Sequence, residues 1–160
     1  MDASLGAKRL ILKLTTPAEL RAKIAELPPE LYAEISPEWL ARIEAADAPD
    51  PWVHGFDIVR NETNEPVGQC GFKEPPRNGA VEIAFAIDPA HQGQGYATEA
   101  VAALTGFAFS DPRVTIVRAH TLPDINASTQ ALCKCNFRHI GEVIDPEDGL
   151  VWRWEKLATD

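Results

Sequence analysis

Apolar positions change period several times along this chain, and each change marks an element. Leu10, Leu12 and Leu14 alternate with Ile11 and Lys13, which predicts a first strand over Lys8 to Thr15. Thr16-Pro17 then reads as a helix start, with Thr16 as N-cap and Pro17 in the first helical position. Leu20, Ile24 and Leu27 follow at helical spacing and form one apolar stripe. Pro28-Pro29 breaks that helix. A second helical stretch runs through Leu31, Ile35, Trp39, Leu40 and Ile43, interrupted near Ser36-Pro37 and ended by the Asp47 to Pro51 cluster.

From Trp52 onward the period falls to two. Val53 to Arg60 and Pro66 to Lys73 predict strands around an Asn61-Glu-Thr-Asn64 turn. After the Pro75 to Gly79 turn, Val81, Ile83, Phe85 and Ile87 alternate with Glu82, Ala84, Ala86 and Asp88. Pro89 stops this strand, and a glycine-rich loop leads into a helix that reaches about Ser110. That helix carries Ala97, Val101, Leu104 and Ala108 on one face, and Asp111-Pro112 closes it. Val114 to Thr121 is the next strand and Asn126 to Cys135 a short helix. Phe137 to Ile144 and Leu150 to Glu155 form a final hairpin. This order is not a regular alternation of strand and helix. It predicts an α+β fold with a mixed, mostly antiparallel sheet of six to seven strands flanked by helices.

Residues 1–160 read as a single domain with a structured core over about 8–156, because no linker, repeat or low-complexity tract divides them. Fifteen Lys and Arg against 24 Asp and Glu give a net charge of −9. That balance argues against a nucleic-acid partner, which needs a basic surface. No apolar run approaches the roughly 20 residues of a membrane span. The chain opens on Met1-Asp2-Ala3-Ser4 without an export-type apolar block, so a cytoplasmic location is expected. The three cysteines Cys70, Cys133 and Cys135 lack zinc-site spacing, so no metal is expected; Cys133 and Cys135 read as two half-buried thiols on one helix.

The segment with chemistry in it is Phe85-Ala86-Ile87-Asp88-Pro89-Ala90-His91-Gln92-Gly93-Gln94-Gly95-Tyr96-Ala97. A strand ends, the backbone turns through small residues, and a helix begins. Backbone N–H groups in such a turn, together with the helix dipole, suit a pyrophosphate without lysine or arginine. A nucleoside-triphosphate loop would require Gly-Lys-Ser/Thr, which is absent. A dinucleotide fingerprint begun at Gly93 would meet Thr98 at its third glycine position. Gln92-x-x-Gly95-x-Ala97 instead resembles the acyl-CoA pyrophosphate loop of the GNAT N-acetyltransferases.

The resemblance extends over nearly the whole chain. Gly95-Tyr-Ala-Thr-Glu99-Ala100, His120-Thr-Leu-Pro123-Asp124, Ala127-Ser128, Phe137 and Gly141-Glu142 look like the branch that acetylates ribosomal-protein N-termini. It implies acetyl-CoA as co-substrate, with its phosphates on Gln92, Gly93, Gln94, Gly95, Tyr96 and Ala97. It also implies a splayed strand whose free backbone at Phe85, Ala86 and Ile87 pairs with the pantetheine arm. Ser128 and Asn126 complete that set. The chain departs from the branch at Ile125, where asparagine is usual, at Asn136, where glycine is usual, and at Leu132, where many relatives carry a tyrosine acid.

Amine acetylation requires a base. The resemblance points to Glu82, on the strand entering the loop, acting through water; His120, at the end of the next strand, is the rival. The expected acceptor is a primary amine, either a peptide N-terminus or a small molecule. Its pocket is expected among the N-terminal helices, the loop near Trp52 and the final hairpin, with Glu44, Asp47 and Asp50 available to attract a cation. Trp152 and Trp154 share one strand face, placed to pack on a helix or a second subunit; the chain is expected to be a monomer or homodimer. The reading from a different class is a catalytically weak acyl-CoA-binding module.

Overall fold

The computed structural model describes residues 5–6, 9–45, 50–146 and 148–159. In chain order the elements are β1 (Leu5–Gly6), β2 (Leu10–Leu14), α1 (Pro17–Ala25), α2 (Pro29–Tyr32), α3 (Pro37–Ala45), β3 (Phe56–Arg60), β4 (Pro66–Phe72) and β5 (Ala80–Ile87). They continue with α4 (Tyr96–Phe109), β6 (Ile116–Thr121), α5 (Ala127–Lys134), β7 (Arg138–Asp145) and β8 (Gly149–Leu157). One sheet runs in the order β1-β2-β3-β4-β5-β6-β8-β7. Seven of its strands are five residues or longer, and the two-residue β1 sits at the edge. Every pairing is antiparallel except β5 with β6. The α+β architecture expected from the hydrophobic pattern is the one observed.

Local chemistry explains the boundaries. The Thr16 hydroxyl accepts a hydrogen bond from the Glu19 amide at 3.1 Å, and Pro17 occupies the first turn of α1. Asn126 and Thr129 form a reciprocal capping box at the start of α5. Asn136, the residue in place of a glycine, takes φ 66°, a left-handed conformation that asparagine tolerates better than most residues. Its side chain costs the turn little.

The core lies between α4 and one face of the sheet. Val101, Leu104 and Ala108 are fully buried in the same cluster as Leu10, Leu12, Ile58, Val67 and Val117. The helix buries Tyr96 and Ala100 on this face, whereas Ala97 is only half-buried and lines a cleft. The other face of the sheet meets α1, where Lys23 pairs with Asp57 at 3.1 Å.

The remaining differences from the sequence reading are local. The first long strand is shorter than expected, Leu10–Leu14, ending just before the Thr16 cap of α1; Lys8 lies outside the described residues. Cys133 is exposed and Cys135 is buried at the end of α5, so the two thiols do not share one environment. Burial raises the Cys135 pKa, with Lys156 pulling the other way. Trp152 and Trp154 do lie on one face; their rings meet His139 of β7 at 4.8 and 5.0 Å, and Trp154 is buried in the core cluster that also holds Leu104 of α4 and Leu132 of α5. Among the described residues no helix is long and apolar enough to cross a membrane.

One close approach shapes the strand that matters most. Gly68 on β4 lies opposite Ile87, and a Cβ built there would stand 2.2 Å from the Ala86 carbonyl oxygen. A methyl group at this point must displace backbone, not a flexible side chain. Gly68→Ala is therefore expected to destabilise the fold by about 1–3 kcal/mol, the usual range for overpacking, as read from urea denaturation.

Candidate active site

The parallel ladder between β5 and β6 covers only Ala80 to Ile83, paired with Ile116 to Ala119. Beyond Ile83 the two strands separate. Phe85, Ala86 and Ile87 still pair with Cys70, Gln69 and Gly68 of β4. Among the described residues no strand pairs with their opposite edge. A seam therefore opens in the sheet at its only parallel junction.

Two clefts meet along this seam. The first, about 220 Å³, is lined by Phe85, Ala86, Ile87, the Gln92 to Thr98 turn except Gln94, and the face of α5 that carries Ser128, Gln130 and Lys134. The second, about 260 Å³, is lined by Lys73, Ala84, Phe85, His120, Asn126 and Ser128 among others. Phe85 and Ser128 belong to both.

The turn between β5 and α4 is set by two glycines. Gly93 has φ 79° and Gly95, the residue before α4, has φ 82°. Both lie in the left-handed region that side chains resist. Gln92 folds back so that Nε2 donates to the Ile87 carbonyl at 3.0 Å, closing the turn onto the strand. A Cβ built at Gly93 meets nothing within 4 Å, so the space above the turn is open. The 14-residue α4 directs its N-terminal amides and the positive end of its dipole toward this space.

Arg9 fastens the turn from outside. Its amide donates to Glu99 Oε1 at 2.9 Å, its Nε to Glu99 Oε2 at 2.6 Å, and a terminal nitrogen to the Gln94 carbonyl at 2.6 Å. The guanidinium also lies 4.8 Å from the centre of the Tyr96 ring. Glu99 follows on the first turn of α4, so one arginine ties the loop and the helix start together. Gln94 is exposed and serves this clamp through its backbone, outside the first cleft's lining.

At the other end of the seam a polar chain crosses the sheet. Lys73 Nζ and His120 Nδ1 both lie 2.9 Å from Glu82 Oε2. Arg153 Nε stands 3.1 Å from His120 Nε2. An arginine nitrogen only donates, so Nε2 accepts, and the ring proton sits on Nδ1 and points at Glu82. Glu82 Oε1 has no partner among the described residues. Burial pulls the Lys73 ammonium down, but the hydrogen bond and charge of Glu82, aided by Asp145 and Asp148, outweigh it and raise its pKa above the ordinary lysine value. Lys73 thus stays cationic at neutral pH.

The structure brings the sequence-derived residues together with few exceptions. Glu82 and His120 touch, and Phe85, Ala86, Ile87, Gln92, Gly93, Gly95, Tyr96, Ala97 and Ser128 line the first cleft. Asn126 lines the second, with its carbonyl oxygen committed to the cap of α5. Ile125 is 78% exposed, and Leu132 is fully buried in the core. Arg9, Lys73, Lys134 and Arg153 were not legible as site residues; each becomes one only through pairing across the fold. Of the acidic residues set aside for the acceptor, Asp47 lies outside the described residues. Asp50 instead accepts a hydrogen bond from the Trp52 amide at 2.9 Å.

A family model described as an acetyltransferase (GNAT) domain matches residues 8–138. The uncharacterized N-acetyltransferase p20 of Bacillus licheniformis is 32% identical over 93 residues, covering 58% of this chain and 52% of that protein. The chain spans about half the length of the curated relatives it matches, at 52%, 52% and 49%. Among solved structures, a ribosomal-protein-S5-alanine acetyltransferase from Vibrio fischeri superposes with a TM-score of 0.72 at 16% identity, over 99% of this chain and 98% of that one. RimL, a ribosomal L7/L12 alpha-N-protein acetyltransferase in complex with coenzyme A, gives a TM-score of 0.70 at 17% identity over 96% and 97%. These structural likenesses show the fold. Since the family model spans most of the sequence and the seam, the glycine turn and the sheet order agree with it, this chain belongs to the GNAT acetyltransferases, a family of acyltransferases that use acetyl-CoA.

Proposed function

We propose that this protein binds acetyl-CoA in the seam and transfers its acetyl group to a primary amine by direct attack in a ternary complex. The observation that carries this reading is the opening of the sheet beyond Ile83 between a glycine turn at one end and Glu82 at the other. Acetyl-CoA supplies an acyl carbon already activated as a thioester. The chain supplies the rest. Amides of Gly93 to Ala97 and the α4 dipole meet the pyrophosphate, and Lys134 across the cleft adds a positive charge. The edge at Phe85 and the Ile87 amide, which face the seam away from β4, offer backbone groups to the pantetheine amides, as an added strand would.

Glu82 takes the amine proton on Oε1, directly or through one water, while Oε2 is held by Lys73 and His120. The amine nitrogen bonds to the acyl carbon as the carbon–sulfur bond breaks, and the thiolate leaves as coenzyme A. In this arrangement His120 orients Glu82, because Arg153 occupies the lone pair a base would need. A peptide N-terminus is one acceptor that fits, since relatives of similar fold act on ribosomal proteins.

Isothermal titration with acetyl-CoA tests the reading, and absence of binding would remove it. Binding without transfer to any of a panel of amines would favour the acyl-CoA-binding module instead. Arg9→Ala is expected to weaken acetyl-CoA binding roughly tenfold, the loss of about 1.4 kcal/mol that charge-assisted hydrogen bonds at a partly exposed site support. Glu99→Gln combined with Arg9→Ala adds little, because both break one clamp.

A further inference from the structure

The apolar stripe of α1 is not spent on the core. Pro17 is the only residue of that helix that is buried, and Ile43 the only one of α3. Leu20, Ile24, Leu27, Ile35 and Trp39 are all half-buried and line a cavity of about 410 Å³ between these helices and the sheet. Apolar surface left in this state gains free energy from anything apolar that covers it. The charges at the cavity cancel locally: Lys23 pairs with Asp57, and Gln69 leans on the same carboxylate at 3.5 Å. Among the described residues that line the cavity, no carboxylate is left over for a polycation.

A second observation is independent of the first. His54 lines the same cavity and is 3% exposed. Its Nδ1 accepts from the Asp50 amide at 2.8 Å, which places the ring proton on Nε2. That nitrogen is buried and has no hydrogen-bond partner among the described residues. A buried donor of this kind calls for an acceptor atom.

Cavity and Glu82 lie on one face of the sheet. Gln69, at the cavity, stands opposite Ala86; Gly71 stands opposite Ala84; Lys73 bonds to the Glu82 backbone on the same alternation. On these two strands the positions that separate Gln69 from Lys73 and Glu82 on this face are Gly71, Ala84 and Ala86, none with a side chain larger than a methyl group. The path from Gln69 to Ala84, at the end of the parallel ladder, is two residues, about 7 Å of strand.

From this placement we infer that the cavity selects the acceptor: a primary amine bearing a large aliphatic or aromatic arm that carries a hydrogen-bond-accepting oxygen. The arm sits among Leu20, Ile24 and Trp39, the oxygen accepts from His54, and the amine lies over Ala84 within reach of Glu82. This inference rests on the acetyl-transfer reading above and narrows its acceptor.

The test compares kcat/KM for tyrosine amide, phenylalanine amide and alanine amide, with spermidine and kanamycin as polycations, in wild type, Ile24→Trp and His54→Phe. Acetyl-CoA titration and thermal melting of each variant run alongside. The aromatic amides are expected to exceed alanine amide by about tenfold or more, as a filled apolar pocket allows. Ile24→Trp, which fills the cavity, should erase that advantage without changing acetyl-CoA affinity. His54→Phe should erase the lead of tyrosine amide over phenylalanine amide. Preference for a polycation, no preference for an aromatic arm, or an advantage that survives Ile24→Trp overturns the inference while acetyl-CoA binding leaves the broader reading standing. Failure of wild type to bind acetyl-CoA removes both.

Discussion

Glu82→Gln is expected to lower kcat by about a hundredfold, within the usual range for loss of a positioned general base. The substitution keeps size and an oxygen that still accepts from Lys73 or His120, so the polar chain across the seam persists. What it removes is the capacity of the second oxygen to hold a proton. Acetyl-CoA affinity, set by the glycine turn at the far end, should stay within about twofold on this argument. His120→Asn should cost less, because His120 orients the carboxylate and its own lone pair is taken by Arg153. A kcat within threefold of wild type for Glu82→Gln would remove Glu82 as base.

Gly95→Val carries the second large expected effect, on binding. Gly95 precedes α4 at φ 82°, and a Cβ there stands 3.2 Å from the Arg9 guanidinium. A left-handed conformation costs an ordinary residue about 1–2 kcal/mol, and a β-branched one more. The turn would relax toward negative φ, rotating the amides proposed to meet the pyrophosphate and pushing against the clamp. A loss of about 2 kcal/mol corresponds to roughly a 30-fold rise in Kd for acetyl-CoA by titration. An unchanged Kd would show that the phosphates bind elsewhere.

These two sites differ in how far the sequence exposes them. The glycine turn is local: strand, proline, two glycines and helix follow each other within Phe85 to Ala97, and the conformations each requires are nearest-neighbour properties. Elements bounded by proline, such as α1 after Thr16 and the broken stretch at Ser36-Pro37, are legible for the same reason. The polar chain is a different case. Glu82 and His120 are separately visible as candidates, but their contact depends on the register of the parallel pair, which sets Glu82 beside Arg118 and not beside His120. Arg153 enters only because β8 returns antiparallel to β6. Arg9 meets Glu99 across 90 positions of sequence, a distance over which no periodic pattern carries information. The apolar stripe of α1 was legible as a stripe; that it borders an open cavity rather than the core depends on how far the helix stands off the sheet.

The same junction that opens for a ligand also divides the molecule. On one side β1 to β5 form an antiparallel block, and on the other β6, β8 and β7 form a second. Within the sheet they are joined by four residue pairs, Ala80 to Ile83 with Ile116 to Ala119. A molecule lying in the seam touches Phe85 on the first block and Ser128 beyond the second. In the proposed reaction acetyl-CoA would therefore be a rivet as well as a reactant. At a hundredfold excess over its Kd, such a ligand adds about 2.7 kcal/mol to the folded state, comparable with a sizeable share of a small domain's stability. Cohesion between the two halves would rise and fall with the supply of co-substrate.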